Sequence, residues 1–246
     1  MFSRIRSLFN RLFSFIGKKK VISPAIPHMQ IQPYKDVATN LVYNSLFCDD
    51  IRFFGNNGRL EGPWKLLFMK DAQVDSLKSV AENSTVETTA RLLAYNVLRS
   101  RGIINSKEVM GVVIEVGATE GPYALAVYSD LRAQYITETG KVRVSEGSTA
   151  AMREKIQNIL SISQKIIDKA EPQNETRSFP PAKDEFHITL LVADGMYFGQ
   201  GKLAELNSDP VASAIVVLVG ELMVILAKKD REASETAGKS SNQTGR

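Results

Sequence analysis

The sequence predicts an α+β fold, an antiparallel meander sheet plus a hairpin covered by helices, and three stretches carry that expectation. Val109 to Gly147 alternates its side chains with a period of two between tight turns, as strands of a covered sheet do. Ser148 to Ala170 spaces Met152, Ile156, Ile159, Leu160, Ile166 and Ile167 at helical intervals, which suits a helix laid on that sheet. Phe186 to Gly199 divides at Asp194-Gly195, a dipeptide suited to a hairpin turn.

Within the first stretch, Val112, Ile114 and Val116 share one face and Val113 and Glu115 the other. The glycines and proline of Gly117–Pro122 break the ladder. Tyr123, Leu125 and Val127 then fall opposite Ala124, Ala126 and Tyr128. Asp130-Leu131 offers a reversal, Arg132–Thr137 a third strand, Thr139-Gly140-Lys141 a turn, and Val142-Arg143-Val144 a fourth strand.

Upstream, Asp36–Phe47 reads as a short helix with Val37, Leu41 and Leu46 inward. Ile51–Met69 reads as strand material, IRFF and WKLLFM around Gly55-Asn56-Asn57-Gly58. Helices follow at Asp71–Glu82 and after Ser84-Thr85-Val86-Glu87, which fits the capping-box pattern. Asn207-Ser208-Asp209-Pro210 announces a last helix. Its continuation, Val211–Ala227, is apolar except for Glu221 and is expected to be a fully buried core helix. A membrane span is the rival, disfavoured by Glu221 and by marginal length. The organisation expected is Met1–Lys20 as a basic amphipathic helix, 21–35 as a proline-containing tether, 36–229 as a single α+β domain and 230–246 as a disordered tail.

On a helical wheel Phe2, Ile5, Phe9, Leu12, Phe13 and Ile16 gather on one side of Met1–Lys20, and Arg4, Arg6, Arg11 and Lys18 on the other, with Lys19 and Lys20 just beyond Gly17. That is the composition of a helix lying in an anionic membrane surface. A mitochondrial presequence, if the source is eukaryotic, and a segment docked on protein share the pattern and stay open.

The 246 residues carry a net charge of +4. The seven cations of Met1–Lys35 face no acid, which leaves 24 basic against 27 acidic residues in the remainder. A basic nucleic-acid-binding face on the body is therefore not expected. A single cysteine, Cys48, excludes an intrachain disulfide.

Chemical motifs are tested one at a time. Gly199-Gln200-Gly201-Lys202 lacks the helix a dinucleotide fingerprint opens and the Ser or Thr a phosphate loop needs, so its glycines read as turn residues. His187-Ile188-Thr189 is one half of a paired signature whose other half is missing, since His28 has Gln30 two residues on. Two histidines and one cysteine, mutually remote, offer no soft metal set. No cofactor is expected. Tyr128, Asp130, Arg132 and Tyr135 around one turn, with Asp194 and Tyr197 around another, form a candidate small pocket for an anion or a peptide edge.

The order of elements is also that of profilin-like and longin-like sandwiches, an analogy that carries no activity. The blocks LLAYNVLRSRG, GVVIEVG, LAVYSDLRAQYI, TGKVRV and DGMYFGQG resemble a family of uncharacterised bacterial proteins with LA-x-x-x-LR, G-x-x-x-EV, LA-x-Y-x-D and DG-x-x-FG-x-G patterns. The likeness spans Ala72–Ala227 and departs where Gln134 stands for an arginine and Leu131 for a turn glycine. It implies domain limits and no catalytic assignment.

These observations lead to the expectation of a non-enzymatic interaction, scaffold or sensor module. It would be cytoplasmic and peripheral at the inner membrane face, with an anionic membrane surface and a protein as partners and no nucleic acid. The alternative is a soluble ligand-binding or hydrolytic domain with a small anion pocket and a targeting segment.

Overall fold

The computed structural model describes residues 30–54, 61–103, 106–146, 149–168, 170, 177, 179–208 and 213–226. Met1–Lys20, His28 and the 230–246 tail lie outside the described residues, as do Asp209 and Pro210 of the expected helix start.

The sheet is built as its alternation predicts. Strands β1 (Val109–Val116), β2 (Tyr123–Tyr128), β3 (Ala133–Ile136) and β4 (Val142–Ser145) form an antiparallel meander. Strands β5 (Glu185–Val192) and β6 (Gly195–Lys202) form a hairpin whose β5 pairs with β1, giving one sheet of order β4-β3-β2-β1-β5-β6.

One face carries Met110, Val113, Ala124, Ala126, Tyr128, Ile136 and Leu191. It is covered by the N-terminal helices α1 (Val37–Ser45), α2 (Gly62–Phe68), α3 (Val74–Glu82) and α4 (Thr88–Ser100). Alanines on β2 leave room for the helices above them. The opposite face carries Val112, Ile114, Leu125, Val127 and Leu190 under α5 (Ala150–Ile167) and α6, helical over residues 213–226. Covering a sheet on both sides turns two apolar stripes into two cores.

A bulge in β1 makes the second core continuous with the strand ends. Val109 opposes Val192 and Gly111 opposes Leu191, so Met110 is the extra residue. A Cβ on Gly111 would stand 3.1 Å from both Leu191 and Tyr128, which explains why the position is glycine.

Several local expectations are overturned. Ile51–Phe54 is a 3-10 turn, with Asp50 Oδ1 accepting the Arg52 N–H at 2.9 Å, and WKLLF belongs to α2 instead of a strand. Pro63 stands in the first turn of α2, where its missing N–H costs nothing. α1 turns Val37 and Leu41 outward and buries Thr39, Asn40, Tyr43 and Asn44 in their place, while Leu46 at its C-cap is buried as expected. The reason is backbone satisfaction. Asn40 bonds both main-chain groups of Tyr34, and Asn44 both those of Ile31, pinning residues 31 and 34 on the body.

The glycines of the rejected nucleotide motif are strand residues of β6, not turn residues. Gly201 lies against the Phe186 ring, where a Cβ would approach to 3.1 Å. Finally, α6 buries only Ile215, Val219, Leu222 and Leu226, while Val217, Glu221 and Val224 face outward. It is an amphipathic cover and not a fully buried helix. Among the described residues no helix is long and apolar enough to cross a membrane.

Candidate functional site

The expected capping box before α4 does not form. Glu87 is the N-cap residue and makes no side-chain cap bond. The cap comes from the β2–β3 turn: Asp130 Oδ2 accepts the Thr88 N–H at 2.8 Å, and the Asp130 N–H donates to Thr88 Oγ1 at 3.1 Å. Ser129 Oγ lies 2.9 Å from the same threonine hydroxyl.

Asp130 also fixes Arg132, accepting Nε at 2.9 Å and lying 2.7 Å from Nη2. Arg132 Nη1 donates to Glu87 Oε2 at 2.9 Å and Nη2 to Thr89 Oγ1 at 3.3 Å. Its guanidinium carbon stands 5.9 Å from the centre of the Tyr128 ring. The other Glu87 oxygen accepts the indole N–H of Trp64. Partial burial opposes the Asp130 charge, but the bonds from Arg132 and Thr88 outweigh it and hold the carboxyl below its ordinary value. Partial burial likewise opposes the Arg132 charge, and Asp130 and Glu87 outweigh it and hold the guanidinium above its ordinary value.

Three of the six residues read as a pocket, Tyr128, Asp130 and Arg132, therefore meet. Tyr135 does not join them. It lies on the other face of the sheet, opposite Leu125 and Arg143, its ring stacked on Tyr123 with centroids 6.5 Å apart. Tyr197 is in that second core too, and donates to Asp194 Oδ2 at 2.9 Å. The two turns share one end of the sheet on either side of β1, since Ser129 donates to the Met110 carbonyl and Ala193 to that of Glu108. Glu87, Thr88, Thr89 and Trp64 were not legible as partners because they reach the turn through tertiary packing.

A second polar cluster lies under α1. Glu115, the one charged residue of β1, is 3% exposed. It stands in register between Ala124 and His187, and accepts the Tyr43 hydroxyl at 2.5 Å. Arg177 stacks over Phe47 at 4.1 Å and near Tyr43 at 5.6 Å, donates to Asn44 and pairs with Asp49 at 3.7 Å. Burial pushes the Glu115 carboxyl up to about 7, against the pull of the Tyr43 bond and the Arg177 charge. Burial holds the His187 imidazole below its ordinary value, against the pull of the Glu185 charge. A lone acid in an apolar strand was the available signal for this cluster. It can take up one proton near neutrality without leaving the core.

Among the described residues no group of three or more His, Cys, Asp or Glu side chains comes together as a metal site. The fold and its two clusters define a helix-covered antiparallel α+β protein whose polar groups are spent on joining helix to sheet. No family model, curated protein or solved structure matches the chain.

Proposed function

We propose that the chain is a non-enzymatic interaction module, a scaffold or sensor, carried on the inner, cytoplasmic face of a membrane by Met1–Lys20. The observation that carries this reading is the segregation of charge and oiliness in the sequence: seven cations and no acid in Met1–Lys35, with the apolar residues on one helical side. Each lysine or arginine near an anionic surface contributes about 1 kcal/mol, so the basic cluster and the apolar stripe act together.

The body supports the non-enzymatic half of the reading. Arg132, the cation that would greet an anionic substrate, has its donors committed to Asp130, Glu87 and Thr89. An anion would have to displace carboxylates already aligned with it, at the cost of the α4 cap.

The test is co-sedimentation of the full chain with vesicles of phosphatidylcholine alone and with added phosphatidylserine, across a salt series. Binding that needs phosphatidylserine and weakens as salt rises supports the proposal. Absence of binding, or binding indifferent to both lipid and salt, rejects it.

A further inference from the structure

Phe179 is 66% exposed, the one exposed aromatic side chain among the described residues. Two prolines follow it, Pro180 and Pro181, and covalent geometry sets the shape of this piece. Each proline ring fixes its own φ near about −65° and pushes the residue before it out of the helical region. Phe179, Pro180 and Pro181 are therefore extended, in the geometry of a left-handed polyproline helix with about three residues per turn. Exposure follows that period: Phe179 and Ala182 are exposed, Pro180 is half-buried and Pro181 is buried. One edge of the helix lies on the body, and the edge that carries the Phe179 ring is open to solvent.

Fixed points bracket the piece. Before it, Arg177 stacks over Phe47, donates to Asn44 and pairs with Asp49. After it, the main chain of Pro181 and Ala182 lies against Gly117 at the end of β1. A Cβ there would stand 1.9 Å from the Ala182 carbonyl oxygen and 2.7 Å from that of Pro181. The Ala182 carbonyl accepts the Glu185 N–H at 3.0 Å, and the Glu185 carbonyl accepts the Gly117 N–H at 2.9 Å. The ring is thus displayed by main chain that is already ordered, which removes much of the entropy a free peptide loses on docking.

We propose that Phe179 and Pro180 form a docking motif read by the aromatic-lined groove of a polyproline-binding protein module. The inference rests on the interaction-module half of the function proposed above and is independent of its membrane half. Such grooves stack prolines on aromatic rings and gain from a helix formed before binding. An anionic lipid surface fits less well, because Lys183 is followed by Asp184 and Glu185, one cation against two acids on the same flank. A second copy of the chain fits less well too. Trp64 is 6% exposed with its indole N–H on Glu87, and among the described residues no ring besides Phe179 is exposed to receive a proline.

Photocross-linking of the full chain tests the motif, in an extract of the source cells cleared of membranes. The photoreactive analogue p-benzoylphenylalanine replaces Phe179 or, as a control, Ser79 of α3; both positions are exposed, so the fold is kept. The competitors are a peptide of residues 177–183 and the same peptide carrying Pro180→Ala and Pro181→Ala. One protein adduct is expected at position 179 and none at position 79. Excess native peptide should cut that adduct at least about tenfold and the alanine peptide should leave it unchanged. No adduct at 179, an adduct shared with 79, an adduct to lipid or to the chain itself, or a protein adduct that the two peptides affect alike overturns the proposal. Vesicle binding without the adduct rejects the motif and spares the membrane reading, and the adduct without vesicle binding does the reverse.

Discussion

Thr88 and Asp130, 42 residues apart, exchange two hydrogen bonds, N–H to Oδ2 at 2.8 Å and N–H to Oγ1 at 3.1 Å. A helix on one layer thus takes its cap from a turn of the next, and Arg132 is locked in place by the same carboxylate. Helix formation and sheet closure are coupled at this point.

Replacing Asp130 with alanine removes the cap and half of the Arg132 pairing, and is expected to cost about 2–3 kcal/mol in denaturant unfolding. The sign with pH follows from the direction of the shift. Asp130 is held below its ordinary value when folded, so its contribution is present above the unfolded value of 3.8 and is lost as pH falls through the folded one. Wild type should therefore lose stability below about pH 4 more steeply than Asp130→Ala.

Glu115 runs the opposite way. Its carboxyl is raised from 4.5 to about 7 in the folded chain, so the folded state holds the proton longer than the unfolded one. Stability is full below about 4.5, falls by about 3 kcal/mol as pH rises to about 7, and is level above. Glu115→Gln keeps the shape and removes the charge, so it should unfold at a higher temperature than wild type at pH 8 and nearly alike at pH 4. Equal melting temperatures at pH 8 would contradict the burial assigned to that carboxyl.

Glycines 117 and 199 predict contrasting alanine variants. A Cβ on Gly117 would lie 1.9 Å from the Ala182 carbonyl, main chain that cannot swing aside, whereas one on Gly199 meets nothing within 4 Å. Gly117→Ala should cost about 2 kcal/mol or more by forcing the 181–182 segment off β1, and Gly199→Ala should be neutral or stabilising by up to about 1 kcal/mol. Parallel urea titrations measure the difference.

Facing in the second core is tested by paired substitutions. Leu125 is fully buried between β1 and β3, and Leu125→Asp should abolish cooperative unfolding because an unpaired charge there costs several kcal/mol. On α6, Glu221 and Leu222 are sequence neighbours with opposite exposures. Glu221→Ala loses a half-exposed ion pair with Lys155 worth less than about 1 kcal/mol, and Leu222→Ala loses about 2–4 kcal/mol.

The sheet was legible in the sequence because alternation is a local signal: Val112 and Ile114 do face away from Val113 and Glu115, as their spacing predicts. The misread segments obey longer-range rules. IRFF and WKLLF are short apolar runs that fit strand or helix, and only tertiary packing decides between them, IRFF against α1 and WKLLF against α4. α1 turns its asparagines inward because they satisfy the main chain of Ile31 and Tyr34, a demand that no hydrophobic pattern reveals. Leu131 takes φ +68° in the β2–β3 turn, a conformation bulky residues rarely adopt, so the turn was legible but the tolerance of a leucine there was not. Half of the candidate site was legible, since Asp130 and Arg132 are neighbours in one turn. Their partners Glu87, Thr88 and Trp64 come from other elements, and no spacing relates them.

The membrane assignment is tested most directly in native cells, by fractionating the full chain beside a Phe9→Glu, Phe13→Glu variant that breaks the apolar side of Met1–Lys20 and leaves every body residue in place. Wild type is predicted to pellet with membranes and to be released by high salt or carbonate, and the variant to stay in the soluble fraction. Wild type in the soluble fraction, or a variant that pellets equally well, would contradict the account.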